Sequence, residues 1–359
     1  MTNYLIRRAI TMVIVLFLSS VAVFAILNAA PGGPLDGLRM QNADRNRRVT
    51  ALDYARLENL LGLDKPVHLR YIVWLAGDDW IEVLPVWFTG TNAFGEPFKN
   101  GTHKGILRGD WGESWRVAQG RPVLDVIKSR LGNTVILMSS ATILSLLVAV
   151  PIGVLSAVKQ YSTLDYVATT FSFIGISMPV FWLGLMMIIL FSLKFKQWGL
   201  PYLPSGGIVS LRGPGAGTLW DRIKHLIMPT TVLSLLYMAG WSRFMRTAML
   251  DVLHQDYIRT ARAKGLVERV VISKHAFRNA LIPLITIVTL QLSSLFGGAV
   301  LTETVFAYTG MGRLYFEALG QSDWPLVMGY LLISAVLVVV SNLIADIAYV
   351  LVDPRIRYD

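Results

Sequence analysis

No cysteine occurs in the 359 residues, which excludes a disulfide framework and any thiolate metal site. Charge is scarce as well. Asp, Glu, Lys and Arg make up 16% of the chain, against about a quarter in ordinary soluble domains. There is no G-x-x-x-x-G-K-[ST] phosphate loop. The nearest glycine clusters, Gly213-Pro214-Gly215-Ala216-Gly217 and Gly310-Met311-Gly312, neither follow a strand nor open a lysine-tipped turn. ATP binding by this chain is therefore not expected. The histidines, His68, His103, His225, His254 and His275, lie outside the long apolar runs and form no H-E-x-x-H pair. That argues against a metal-dependent or histidine-based intramembrane hydrolase. Serines within apolar runs, such as Ser139, Ser140, Ser172, Ser177, Ser293 and Ser294, lack a neighbouring base. They read as helix-packing residues. Ion-driven carriers keep ionisable groups inside the membrane as relays, and here Asp346 is the exception to an almost complete absence. Energy for any transport must then come from another chain.

What is present is apolar sequence in blocks. Runs without Asp, Glu, Lys or Arg cover Ala9–Ala30, Leu131–Val158, Tyr166–Leu193, Ala280–Thr302 and Trp324–Ala345, each 22 to 28 residues long. A shorter one, Leu226–Ser242, has 17. A bilayer core needs about 20 helical residues. The expected fold is an all-α integral membrane protein with six transmembrane helices. Arg7 and Arg8 precede a run too long for a signal-peptide core, so the first helix reads as uncleaved. The net charge of +10 sits mainly beside the block ends, where it orients the protein. No basic stripe with interleaved aromatics suggests nucleic acid.

With the N-terminus inside, thirteen Lys and Arg residues fall on inner segments and six on the two short outer loops. This bias is the positive-inside pattern and places both termini in the cytoplasm. Three parts follow: 1–30, the first transmembrane helix; 31–130, an extracytoplasmic loop or cap; and 131–359, a five-helix core with a cytoplasmic segment at 243–282. In the cap, Pro31-Gly32-Gly33-Pro34 breaks the first helix. A short amphipathic helix is expected over Asp53–Leu63, and a second stretch over Val67–Leu75 carries Tyr71 and Trp74. The Gly/Pro-rich loop Gly199–Gly217 has turn chemistry.

The basic segment Arg243–Arg278 is the most informative stretch. Leu253, Tyr257 and Ala261 recur every four residues and predict one apolar or small face, with Arg259 and Arg262 on another. Gly265 should stop or bend this helix, being the residue best able to adopt a left-handed conformation. A second short helix is expected at about Val267–Ala280, and Pro283 should open the fifth membrane helix. Such a pair makes a compact knob between two spans. It suits either an interface with anionic headgroups or a partner that drives the helices.

At these residues the sequence resembles the permease subunits of binding-protein-dependent ABC importers, most of all the B-type subunit of dipeptide/oligopeptide permeases. Arg259-Thr260-Ala261-x-x-x-Gly265 falls on that family's cytoplasmic "EAA" loop, with Arg where the general pattern has Glu. Asp256–Gly265 followed by His275-Ala276-Phe277-Arg278-Asn279-Ala280-Leu281-Ile282-Pro283 is similar to the peptide branch. So are Leu61-Gly62-Leu63-Asp64-Lys65-Pro66, Gly109-Asp110-Trp111-Gly112-Glu113-Ser114, Glu303-Thr304-Val305-Phe306 and Gly310-Met311-Gly312-Arg313-Leu314. Asp323-Trp324-Pro325-Leu326-Val327 and Asp353-Pro354-Arg355-Ile356-Arg357-Tyr358 complete the set. The resemblance covers nearly the whole chain except about 78–108.

The resemblance implies a type I ABC importer permease fold, with the first helix crossing toward a second, related permease subunit. It implies two cytoplasmic ATPase subunits, which carry ATP and Mg, and an extracytoplasmic solute-binding protein. It makes Asp256, Tyr257, Arg259, Thr260, Ala261, Arg262, Lys264 and Gly265 a coupling segment that transmits motion and catalyses nothing. Asn133, Ser177 and Gln291 are candidates for the translocation path on polarity alone. The expected function is import of peptides or peptide-like solutes by alternating access. The rival is an ion-coupled carrier or channel acting without ATPase subunits. Relatives of this type are associated with dipeptides, longer peptides, nickel complexes, glutathione and some oligosaccharides.

Overall fold

The computed structural model describes residues 2–29, 58, 62–92, 94–296 and 299–352. The expected helix break at 31–34, most of the helix at 53–63 and the C-terminal motif at 353–358 lie outside the described residues. Every regular element among them is a helix, and the two backbone bridges, Thr91 with Pro97 and Glu113 with Pro122, are isolated. An apolar chain needs this outcome, because a helix satisfies its backbone groups without water.

Helix α1 covers Thr2–Ala29 and α2 covers Val67–Ala76. Helix α3, Val123–Val158, is 36 residues long, about 54 Å at the α-helical rise. It starts well upstream of its apolar block. Helix α4 is Thr163–Ser177 and α5 is Val180–Gln197. Helix α6, Leu219–Leu253, has 35 residues, and α7 is Asp256–Ala263. Helix α8 runs continuously over 268–296, with a wide-turned π segment at Val271–Ala276. Helices α9 (Val300–Val305), α10 (Met311–Gly320) and α11 (Trp324–Val352) complete the chain.

Five helices among the described residues are long and apolar enough to cross a membrane: Ile6–Ala29, Val123–Val158, Val180–Gln197, Glu268–Thr289 and Trp324–Ile344. The sixth expected block, Leu226–Ser242, lies inside α6, whose charged ends dilute its apolar character.

Three expectations need correction. The block Tyr166–Leu193 is not one helix. Pro179 lacks an amide hydrogen and disfavours helical backbone at Met178, whose φ and ψ are −79° and 128°, so α4 ends and α5 begins anew. The short helix expected at Val267–Ala280 is instead the first part of α8. Pro283 consequently lies inside a helix rather than at its start.

The described residues form two compact units, one from 7–129 with 314–336 and the other from 130–313 with the chain ends. In the first, the C-terminal half of α1 meets α2. Ser20 Oγ lies 2.8 Å from Tyr71 Oη, and the Phe24 and Tyr71 rings pack edge-on at 5.3 Å. Leu69, Ile81 and Phe98 form a small core there, and Arg108 reaches back to Asp79 and to the carbonyl of Ala76. In the second unit, Met228, Val232, Leu137, Met138 and Phe306 form one core. Trp241, Met245, Met249, Ile258, Ala261 and Val271 form another. Small polar groups link its helices. Ser145 Oγ donates to Ser234 O at 3.1 Å, and the Ser172 and Ser242 hydroxyls are 3.1 Å apart, the packing role expected of Ser172.

Candidate coupling site

Helix α7 follows α6 after a two-residue turn in which Gln255 is extended. Its apolar stripe is Ile258 and Ala261, 0% and 6% exposed, packed with Met249, Val271 and Ala276 of the core around Trp241 and Met245. Tyr257, expected on that stripe, is 43% exposed. The buried face thus steps by three residues, as suits so short a helix, and the four-residue repeat through Tyr257 does not define it. Asp256, Arg259, Thr260, Arg262, Lys264 and Gly265 are exposed.

The helix stops as its glycine requires. Gly265 has φ +77°, a conformation that side chains with a Cβ resist. Its N–H donates to Arg262 O at 2.9 Å, and Leu266 N–H donates to Ala261 O at 3.4 Å. That pair of bonds is a Schellman cap, which satisfies two terminal carbonyls and turns the chain. Arg262 then spans the turn, donating from Nε and Nη2 to Glu268 at 3.1 and 2.7 Å. Arg259 meets Asp256 at 3.4 Å with both groups largely in water, an ion pair worth little.

Below this segment the helices are tied by a buried carboxylate. Asp165 in the first turn of α4 accepts Arg246 Nε at 2.7 Å and Nη2 at 2.9 Å, Tyr161 N at 3.0 Å, and the Ser156 hydroxyl. The Arg246 guanidinium, and then the Ser156 hydroxyl and Tyr161 amide, hold its carboxyl far below the usual range despite burial. Arg246 is on α6, Ser156 on α3 and Asp165 on α4, so one side chain fastens three helices. Arg246 lies two turns before the end of the helix that leads into α7.

A second such joint explains two sequence motifs. Glu303 of α9 is fully buried and accepts Thr134 Oγ1 at 2.8 Å and Arg313 N at 2.9 Å. Thr134 Oγ1 in turn accepts Met311 N at 2.7 Å. Gly310 passes so close to the carboxylate that any Cβ there would overlap it. Asp323, in the other unit, accepts Ser114 Oγ at 2.5 Å and the amides of Trp115, Arg116 and Val117 at 3.1, 3.0 and 2.9 Å. Asp221, in the first turn of α6, accepts Ser210 N and Oγ at 2.7 Å and Gly217 N at 3.0 Å from the preceding loop.

The three path candidates have different surroundings. Asn133 Nδ2 donates to Thr309 O at 2.8 Å, helping to hold the turn beside Glu303. Gln291 Oε1 accepts Trp241 Nε1 at 2.8 Å. Ser177 is exposed at the end of α4, beside the proline break. Sequence reading missed Asp165 and Arg246 as partners. They stand far apart in the chain, each near the edge of an apolar block, and opposite charges beside two apolar blocks were the signal available.

The fold is that of a helical membrane protein with a glycine-stopped surface helix between two long helices, and sequence comparison supplies the family. Residues 149–358 match the model of the binding-protein-dependent transport system inner membrane component. Residues 1–82 match the N-terminal model of the same kind of membrane component. The chain belongs to this family of permeases. It is 40% identical over 358 residues to the oligopeptide transport system permease protein AppB of Bacillus subtilis (strain 168), covering 100% of both chains. It is 34% identical over 378 aligned residues to the dipeptide transport system permease protein DppB of Alkalihalophilus pseudofirmus, again covering 100% of both. The Escherichia coli (strain K12) protein DppB matches at 34% identity, with 100% of this chain and 99% of that protein covered. The stretch about 78–108, which the motifs alone left out, is thus inside full-length alignments.

Proposed function

We propose that this chain is one of two membrane-spanning subunits of an ATP-driven importer of peptides or peptide-like solutes, and that α7 is its coupling lever. The observation that carries the reading is the two-sidedness of α7. Ile258 and Ala261 are locked into the bundle, while Asp256, Arg259, Arg262 and Lys264 are offered to solvent. A partner gripping the charged side moves the bundle through the buried side. The solute class follows the relatives named above, which are permeases of oligopeptide and dipeptide transport systems.

In this reading the chain has six spans in a type I arrangement, with α6 as the sixth. Both termini and α7 are cytoplasmic. Two ATPase subunits bind ATP and Mg, one of them seating α7, and a related permease chain completes the pore. The 31–130 region faces outward, where a solute-binding protein delivers its load. Transport is alternating access. ATP and the loaded binding protein favour the outward-facing form and product release the inward-facing one, each through its differential affinity for the two states. Asp165 and Arg246 keep α3, α4 and α6 together so that motion entering at α7 reaches the pore. Ser177, beside the α4–α5 break, remains the preferred path residue of the three, since Asn133 and Gln291 have structural hydrogen bonds.

The test is uptake of labelled peptide in cells carrying Gly265→Pro or Ala261→Trp, with membrane levels measured in parallel. Proline cannot adopt the +77° φ of Gly265, and tryptophan cannot fit where Ala261 is buried. Both variants should reach the membrane and lose uptake. Normal uptake by either would contradict the coupling role. Solute movement by the purified chain in vesicles, driven by an ion gradient without ATPase subunits, would favour the rival carrier.

A further inference from the structure

The unit formed by 7–129 and 314–336 contains a cavity of about 540 Å³, within the size range of small-molecule sites. Three motifs that the coupling mechanism leaves unused meet in its wall. Gly62, Leu63 and Lys65 come from the first, Asp110 to Glu113 from the second, and Trp324 and Pro325 from the third. The tip of α1, helix α2 and the 101–105 loop supply most of the rest, so the cavity lies at the end of α1 and the start of α11.

Its chemistry is lopsided. Four indoles, Trp74, Trp111, Trp115 and Trp324, line it. Its carboxylates are largely engaged. Asp78 accepts the amide of His103 at 2.9 Å. Asp110 accepts those of Lys104 and Gly112 at 3.0 and 3.1 Å and faces the His103 ring, while Glu113 is exposed.

Two of its donors are not engaged. Arg70 Nε and Trp324 Nε1 are both buried without a hydrogen-bond partner among the described residues, and burial alone lowers the Arg70 pKa. A buried N–H of a half-buried guanidinium with no acceptor among the described residues is unfavourable, since a buried donor needs a hydrogen-bond partner. An oxyanion would satisfy it with charge-assisted hydrogen bonds, and the indoles offer flat apolar surface to whatever the oxyanion is attached to.

We propose that this cavity is a binding site for a small amphiphile carrying an oxyanion, with the oxyanion at Arg70 and the apolar part against the tryptophans. Lys65, held 5.4 Å from the Phe98 ring centroid, adds positive potential to the same wall. The chemistry has two sources: the terminal carboxylate of a short peptide, or the phosphodiester of a lipid headgroup. Neither source requires the coupling role of α7, so the two proposals stand or fall separately.

The experiment is calorimetric titration of the full-length chain, stripped of lipid, in maltoside micelles, which carry no phosphate or carboxylate. The probes are the dipeptide Ala-Phe, its C-terminal amide, and short-chain phosphatidylglycerol. Peptide as source gives binding of the free acid with the amide about tenfold weaker or worse, the scale expected for a charge-assisted hydrogen bond. Lipid as source gives binding of phosphatidylglycerol in place of the peptide. In both cases Arg70→Gln should weaken binding to a similar degree, Arg70→Lys should restore part of it, and Trp324→Phe should weaken it less. The proposal is overturned if no anionic probe binds. It is equally overturned if acid and amide bind alike and phosphatidylglycerol does not bind, or if Arg70→Gln binds as the parent does.

Discussion

At α7 the charged groups lie in water. Arg259 and Asp256 touch at 3.4 Å while both stay largely exposed, and Arg262 and Glu268 are about half exposed. At the start of α4 and in α9 the carboxylates of Asp165 and Glu303 are buried, and each collects donors from elements distant in the chain. The same residue types serve opposite ends. A water-exposed pair contributes little to stability and stays free to exchange its partner for one on another protein. A buried, multiply bonded carboxylate is expensive to disturb and therefore holds helices in fixed register. The coupling role proposed for α7 needs both: a surface that can be gripped and a root that does not slip.

The sharpest way to break this contrast is to remove a root. Asp165→Ala leaves the Arg246 guanidinium without its partner, and the buried-pair rule gives a loss of about 3 kcal/mol in stability. Thermal unfolding of the purified protein measures it. Asp165→Asn keeps the shape but not the charge and should fall between. Ala261→Leu comes next, at about 1–3 kcal/mol for overpacking a filled core, with loss of uptake as the second readout.

The surface half of the comparison predicts small numbers. Arg259→Ala and Arg262→Ala should unfold within about 0.5 kcal/mol of the parent, while reducing recovery of the ATPase subunits in pull-down. A large stability loss in either would erase the distinction between lever surface and root.

The smallest expected effect concerns pH at the loop before α6. Hydrogen bonds from the side chain and backbone of Ser210, and from Gly217, hold the Asp221 carboxyl down to about 2. A free carboxylate titrates near pH 4. The folded form therefore keeps its charge where the unfolded form has taken a proton. This contribution is complete above about pH 4 and fades as pH falls towards 2. Hydrogen exchange of the Ser210 and Gly217 amides from about pH 5 downwards should show protection lost only at the acidic end. In Asp221→Asn that pH dependence should vanish.

Composition and block length were enough for the membrane class, and residues 256–283 for the family resemblance. The Gly265 stop was also legible, because few residues tolerate that backbone. Other features depended on neighbours. A four-residue repeat pointed to Tyr257, but the surface of α6 and α8 that α7 meets accepts Ile258 and Ala261 instead. Charge-free length suggested one helix across Tyr166–Leu193, and Pro179 broke it. The joints at Asp165, Glu303 and Asp323 could not be read at all as pairs. Their partners lie 81, 169 and 209 residues away in the sequence, and only the fold brings them together. Asn133 drew attention as a polar group in an apolar run. Its amide turned out to serve a turn.

The central claim is that α7 is held by a nucleotide-hydrolysing partner. The absence of native cysteines makes a direct measurement possible, with Arg259→Cys as the sole thiol in this chain, labelled in native membranes with a short linker that is thiol-reactive at one end and photoactivatable at the other. The account predicts a cross-link to an ATPase subunit that is strong from Arg259→Cys and absent from Leu107→Cys in the 31–130 region. Capture of no such subunit from Arg259→Cys, with uptake intact, would contradict it.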